Sequence, residues 1–153
     1  MNIPLPKTGN SVGINFADVF DNITQPITIG LPNKPNEIIY ANQAFCNLTG
    51  YPMNEILGRN PRFLQGPIYS KRREAIRHAL DHQESVDVLV LNYRKDGTPF
   101  WNELHIHPVI MDGQCVFYVG MARDVTAQIL KSIGDVDKTI ATIQEFREKI
   151  KVV

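Results

Sequence analysis

The sequence predicts an α+β domain with a five-stranded antiparallel sheet and helices on one face. Three observations carry this. Two short apolar runs, Ile27-Thr28-Ile29 and Ile38-Ile39-Tyr40, precede a helical middle. The hydrophobic period then changes from helical to alternating near residue 86 and stays so to residue 122. Two Asp-Gly pairs, Asp96-Gly97 and Asp112-Gly113, divide that alternating part into three segments, as in a hairpin meander.

Taken in order, residues 1–13 hold Pro4, Pro6, Gly9 and Gly13 and read as a loose N-terminal arm. Phe16, Val19, Phe20 and Ile23 fall at helical spacing, which predicts a short amphipathic cap helix over 14–23, ended by Gln25-Pro26. The two short strands follow, joined by a Pro/Asn/Gly-rich turn from Gly30 to Asn36. Asn42 caps a helix that Gly50 terminates. A short helix over 53–57 stops at Gly58. Asn60 is suited to cap another helix with Pro61 first in it, because the first turn has no use for the N–H that proline lacks. A longer helix runs from Lys71 to His82. The three strands come last, with Tyr118, Gly120 and Ala122 on one face of the final one.

The 153 residues carry 16 Lys and Arg against 16 Asp and Glu, a formal net charge of zero. That excludes a chain-wide footprint for nucleic acid or an anionic membrane. No apolar run reaches membrane-spanning length and no signal peptide opens the chain, so a cytoplasmic protein is expected. Two cysteines, Cys46 and Cys115, make neither a disulfide framework nor a metal cluster. Cys46 follows Phe45, a core residue, and so should point elsewhere; both thiols read as inert packing groups. His105 and His107 share an outward strand face and read as solvated rather than metal-binding, and no histidine has a nucleophile to serve. An enzyme is not expected.

The strand face holding Phe100, Leu104 and Ile106 also holds Asn102, and that of Val88 and Val90 also holds Asn92. Asparagines on an apolar face must have their amides satisfied. Either they bond each other, backbone or water, or they read a planar ligand whose edge alternates donors and acceptors.

The segment Gly58-Arg59-Asn60-Pro61-Arg62-Phe63-Leu64-Gln65-Gly66 closely resembles the flavin-contacting helix of light-oxygen-voltage (LOV) domains, a subfamily of PAS sensors. Asn92-Tyr93-Arg94-Lys95-Asp96-Gly97-Thr98-Pro99-Phe100-Trp101-Asn102 matches a second family motif almost without interruption, as do Thr49-Gly50-Tyr51 and Glu55-Ile56-Leu57-Gly58. The resemblance covers roughly residues 26–126. It implies a PAS/LOV fold and a flavin site in which Asn92 and Asn102 read the ring edge, while Asn60 and Gln65 contact the ring and ribityl chain. Arg62 and Arg77 would hold a phosphate, with Arg73, one turn earlier, able to substitute for Arg77. Leu104, Tyr118, Pro61 and Ala122 complete the expected lining. A short loop before Lys71 favours FMN over FAD, and riboflavin is the other alternative. Glu55 and Lys95 match a surface ion pair of the family.

Two family residues are absent. Pro61 stands where LOV domains carry the cysteine that bonds the flavin in light, and Ala122 stands where they carry a signalling glutamine. Neither Cys46 nor Cys115 is placed to replace the first. The Gly120-Met121-Ala122-Arg123-Asp124 spelling also resembles redox-sensing flavin PAS domains. After Thr126, Ile133 and Ile140 at a positions and Ile129, Val136, Ile143 and Ile150 at d positions give a seven-residue repeat, which predicts a coiled coil and a homodimer. The other outcome is a helix folded back over the sheet. The expected division is an arm and cap helix over 1–25, a PAS/LOV domain over 26–126, and a C-terminal signal helix over 127–153. The expected function is a flavin-binding sensor without adduct chemistry, responding to photoreduction or redox change and signalling through its C-terminal helix to a partner protein. The alternative is a cofactor-free PAS dimerisation module.

Overall fold

The computed structural model describes residues 2–3, 14–33, 36–66 and 71–150. Strands β1 (Asn2–Ile3) and β2 (Ile14–Asn15) pair with each other, so part of the expected loose arm is held by backbone hydrogen bonds. Residues 4–13 lie outside the described residues. Helix α1 is Phe16–Phe20, shorter than the expected 14–23. Asn15 is its cap, with Oδ1 accepting from the Ala17 N–H at 3.0 Å, so residues 14 and 15 stay extended.

Strands β3 (Ile27–Gly30) and β4 (Ile38–Ala41) come next, then α2 (Gln43–Thr49) and α3 (Met53–Ile56). Gly50 ends α2 at φ 74°, a left-handed conformation that costs glycine little. Pro61–Leu64 forms a 3-10 turn rather than an α-helix. Its backbone bonds span three residues, from the Phe63 N–H to the Asn60 carbonyl at 3.3 Å and from the Gln65 N–H to the Arg62 carbonyl at 2.9 Å. Helix α4 (Lys71–His82) lies as predicted, followed by β5 (Val86–Tyr93), β6 (Pro99–Met111), β7 (Gln114–Asp124) and α5 (Thr126–Ile150).

The five main strands form one antiparallel sheet in the order β4-β3-β7-β6-β5. Asp112 and Gly113 both have positive φ, as a two-residue primed turn requires. At the other hairpin only Gly97 does: the Arg94 N–H donates to the Thr98 carbonyl and the Gly97 N–H to the Arg94 carbonyl, both at 2.9 Å, and Asp96 Oδ1 accepts from the Thr98 N–H at 2.9 Å.

The two faces of the sheet are divided by the alternation. Ile27 and Ile29 pack with Phe20, Phe117, Val119 and Met121, so α1 covers one face. The other face, with Ile38, Ala41, Phe45, Cys46, Ile56 and Leu64, forms a core with the middle helices. Cys46 is buried in that core beside Phe45, against the expectation that it would point away. Helix α2 is buried on more than one side, so adjacent residues can both be covered. Burial pushes the Cys46 thiol up.

Asn42 fastens the cap to this core. Fully buried, it accepts from the N–H groups of Ile27 (2.9 Å) and Phe45 (3.1 Å) and donates to the carbonyls of Phe20, Ile23 and Gln25. Gln25 in turn donates to the Ala122 carbonyl. A second bolt is Arg94, which donates to the Leu48 carbonyl and to Asp124 Oδ2, both at 2.6 Å, and lies over the Phe100 ring. Partial burial opposes ionisation of Asp124, yet hydrogen bonds from Thr126 and Arg94 outweigh it and hold the carboxyl below its ordinary value.

Helix α5 leaves the sheet with Leu130, Ile133, Val136, Ile140 and Ile143 about half exposed, at 48–62%. The apolar stripe is therefore not folded back over the sheet. The side chains of residues 146–150 lie outside the described ones. Among the described residues, no helix is long and apolar enough to cross a membrane.

Candidate functional site

Between the inner sheet face, the 3-10 turn and α4 lies a cavity of about 330 Å³. Its apolar walls come from alternate strand positions, among them Ile38, Val90, Leu104 and Ile106, with Phe45 and Leu64 from the helical side. Into this space the fold brings five amide residues, Asn36, Asn60, Gln65, Asn92 and Asn102, and three guanidinium groups, Arg62, Arg73 and Arg77. Nine of the ten residues singled out from the sequence line it: Asn60, Pro61, Arg62, Gln65, Arg77, Asn92, Asn102, Leu104 and Tyr118. Ala122 does not. It is buried opposite Leu104 on the same face, and its methyl group adds no wall.

Each polar group is placed by a local reason. Asn60 Oδ1 accepts from the Arg62 N–H at 2.9 Å, which caps the 3-10 turn and sets Pro61 first in it. Gln65 ends that turn and forms an antiparallel bridge with Asn92, so the turn is docked on the edge strand β5. Asn92 and Asn102 sit near the β5–β6 hairpin, both nearly fully buried. Asn102 Nδ2 donates to Asn92 Oδ1 at 2.9 Å, and Asn102 Oδ1 accepts from the Arg123 N–H at 3.2 Å. Of the two options left open by the sequence, this pair satisfies itself through each other and the backbone, and among the described residues no buried side-chain polar atom lacks a partner.

Tyr118 closes the far wall by donating to the Leu80 carbonyl at 2.6 Å, joining β7 to α4. Burial, and after it the nearby Cys115, push its phenol up to about 12, so it stays protonated at neutral pH. Neither Cys46 nor Cys115 lines the cavity. The sequence reading missed Asn36, whose side chain donates to the Leu31 and Pro32 carbonyls, and Glu74 and Asp81, two carboxylates of α4 that line the cavity at three and four residues from Arg77.

Outside the cavity, Glu55 and Lys95 form the expected surface ion pair at 2.7 Å, with both side chains more than 40% exposed, so its contribution is small. His105 and His107 have separate partners, Asp87 at 2.7 Å and Ser85 at 3.0 Å. Among the described residues no three His, Cys, Asp or Glu side chains form a metal-binding group.

This architecture, a five-stranded sheet with its helices wrapped round an amide-edged cavity, has relatives. The pattern of the PAS domain family matches residues 24–127. A blue-light-activated histidine kinase of Brucella anthropi is 48% identical over 111 residues, 71% of this chain and 23% of that protein. A blue-light photoreceptor of Listeria monocytogenes is 39% identical over 146 residues, 91% of this chain and 56% of that protein. A solved light-oxygen-voltage domain, from work on a flavin analogue and the domain's mechanism, superposes with a TM-score of 0.68 at 37% identity, covering 81% of this chain and 94% of that one. The chain belongs to the PAS-domain family, in its light-oxygen-voltage branch. It spans little more than half the length of one of these curated relatives and about a quarter of the other.

Proposed function

We propose that this chain is a flavin-binding sensory module that works without a cysteinyl adduct. The observation that carries it is the coincidence of five amides and three guanidinium groups around one apolar-walled cavity. Its size lies at the lower end of ordinary ligand sites. A flavin presents alternating donors and acceptors along one ring edge and, as FMN, a phosphate at the other end. Paired amides suit the first and planar cations the second. When bound, such a group supplies blue-light absorption and reversible electron uptake.

The chain's own residues define the rest. Pro61 presents ring carbons where the family has its thiol, and both cysteines lie off the cavity. No side chain of the lining is a thiol that could form a covalent bond there. Asn92 and Asn102 would exchange their mutual bond for bonds to the ring edge. Asn102 is also coupled to the output helix. Its Oδ1 takes the Arg123 N–H, the Val125 N–H donates to the Trp101 carbonyl at 2.9 Å, and the Trp101 N–H donates to Thr126 Oγ1 at 2.8 Å. A changed bond at the ring edge therefore needs only three residues of chain to reach the first turn of α5. The exposed stripe of α5 fits a parallel homodimer, with a protein partner for output, and the molar mass in solution tests the dimer.

A second reading has one observation behind it. Asn92 and Asn102 are already satisfied by each other, so the fold does not require a ligand. A cofactor-free dimerisation module follows if the cavity takes nothing. Reconstitution of the purified chain with excess FMN separates the two: bound, structured flavin absorption supports the sensor, and colourless protein supports the module.

A further inference from the structure

We propose that Gln25 makes the N-terminal cap a second output of this chain, because its side chain holds the same peptide unit that Asn102 holds from the cavity side. The inference goes beyond the α5 route above and stands without a bound flavin. Strands β3 and β7 pair antiparallel, with Ile27 opposite Met121 and Thr28 opposite Gly120. One step further along this register, Pro26 lies opposite Ala122. The Ala122 N–H donates to the Pro26 carbonyl at 3.0 Å, which is one half of the two-bond exchange of such a pair. The other half would come from an N–H at residue 26, and proline has none. Gln25 supplies the donor instead: its Nε2 donates to the Ala122 carbonyl. A carbonyl only accepts, so the contact also fixes which way the Gln25 amide faces. The backbone of Gln25 is held as well, its carbonyl taking Asn42 Nδ2 at 2.8 Å.

The Ala122 carbonyl and the Arg123 N–H belong to one planar peptide and point to opposite sides of it. That N–H donates to Asn102 Oδ1 at 3.2 Å. A single peptide of β7 therefore carries the cavity amide on the β6 side and the cap linker on the β3 side. Hydrogen bonds at the two ends of a peptide polarise each other, and a tilt of its plane moves both. A side-chain amide can part from the carbonyl by a rotamer change, which a ladder N–H cannot do. Just before this linker lies α1, whose Phe20 packs on Ile27 and Ile29. A weaker Gln25 contact loosens α1 from that sheet face. Gln25 does not line the cavity, so it is a positioning residue that acts through the peptide.

Hydrogen–deuterium exchange of the full chain, read by mass spectrometry over residues 16–25, tests this in wild type, Asn102→Leu, Gln25→Leu and the double variant, all flavin-free. Gln25→Leu should speed exchange there by about fivefold, the effect of one net hydrogen bond on a local opening. Asn102→Leu should speed it by about twofold or more when Gln25 is present and by less than about 1.5-fold when it is not, since both substitutions act on one peptide. A fastener with no coupling role would leave the Asn102→Leu factor the same in both backgrounds. That result, or no response of residues 16–25 to Asn102→Leu, overturns the proposal. Pro26→Ala in the Gln25→Leu chain restores the ladder N–H and should return the exchange toward wild type; no recovery overturns the role given to Gln25. Saturation with FMN perturbs Asn102 without a substitution there. It should change exchange over residues 16–25 by about twofold or more in wild type and by less than about 1.5-fold in Gln25→Leu, and equal changes overturn the proposal. A wild-type chain that takes up no FMN fails the flavin reading alone, and the Asn102→Leu comparison still decides the role of Gln25.

Discussion

The amide pair in the cavity gives the sharpest energetic prediction. Asn102→Leu removes a donor to Asn92 at 2.9 Å and an acceptor for the Arg123 N–H at 3.2 Å, at a residue only 2% exposed. Each lost hydrogen bond costs about 1 kcal/mol net, and a stranded buried partner raises this, while the added apolar surface returns about 1 kcal/mol. The expected loss in the flavin-free protein is about 2 kcal/mol. Asn92→Leu loses the same amide–amide bond and strands Asn102 Nδ2, for a similar cost. The double variant removes both partners and should cost about 1–2 kcal/mol less than the sum of the singles. Urea denaturation followed by far-ultraviolet circular dichroism measures all four proteins. Additive losses would refute the reasoning, because the two amides would then not be bonded to each other in the free protein. Flavin affinity of either single variant should also fall by about five- to a hundredfold, reflecting one lost polar contact to the ring edge.

Other consequences are as direct. Pro61→Cys places a thiol at the first position of the 3-10 turn, facing the cavity, at a cost of about 1 kcal/mol or less from a freer unfolded chain. With flavin bound, it should bleach in blue light without an added electron donor and recover in the dark, as absorption spectroscopy would show. Asn42→Ala strands the buried Ile27 N–H, removes the α2 cap and releases three carbonyls of the cap linker. The loss should be about 3–4 kcal/mol, lowering the melting temperature by about 10 °C, and amides of residues 16–25 should exchange faster with solvent. Asp124 has a folded-state pKa below its unfolded one, so between the two the unfolded chain binds the extra proton and stability rises with pH. Asp124→Asn should therefore destabilise near neutral pH, with the difference from wild type shrinking as the pH falls through about 4 and below. Urea midpoints across that range check the sign.

Much of the fold is legible in the sequence because its signals are local. The period of two over 86–122 places Asn92 and Asn102 on the cavity face, and Asn60-Pro61 marks the start of a turn in sequence as in space. The parts that were not legible depend on distant chain. Asn42 reads as a helix cap, but its hold on the carbonyls of residues 20, 23 and 25 comes from a linker about twenty residues away. Cys46 reads as turned from the core only if α2 has one buried side, whereas the core cluster it joins draws on three other elements, β4, α3 and the Pro61–Leu64 turn. The pairing of Asn2–Ile3 with Ile14–Asn15 crosses a Pro/Gly-rich segment that carries no strand signal. The choice between Arg73 and Arg77 is open in the sequence because the short loop before Lys71 leaves the register of the helix unfixed; the fold brings both to the cavity.

The most direct measurement is an absorption spectrum of the FMN-reconstituted chain, in the dark and under blue light, with and without a mild reductant. The account predicts a structured flavin band that fades reversibly in light only when the donor is present. A light-driven, thiol-adduct-type band without donor, from a chain whose two cysteines lie off the cavity, would contradict it.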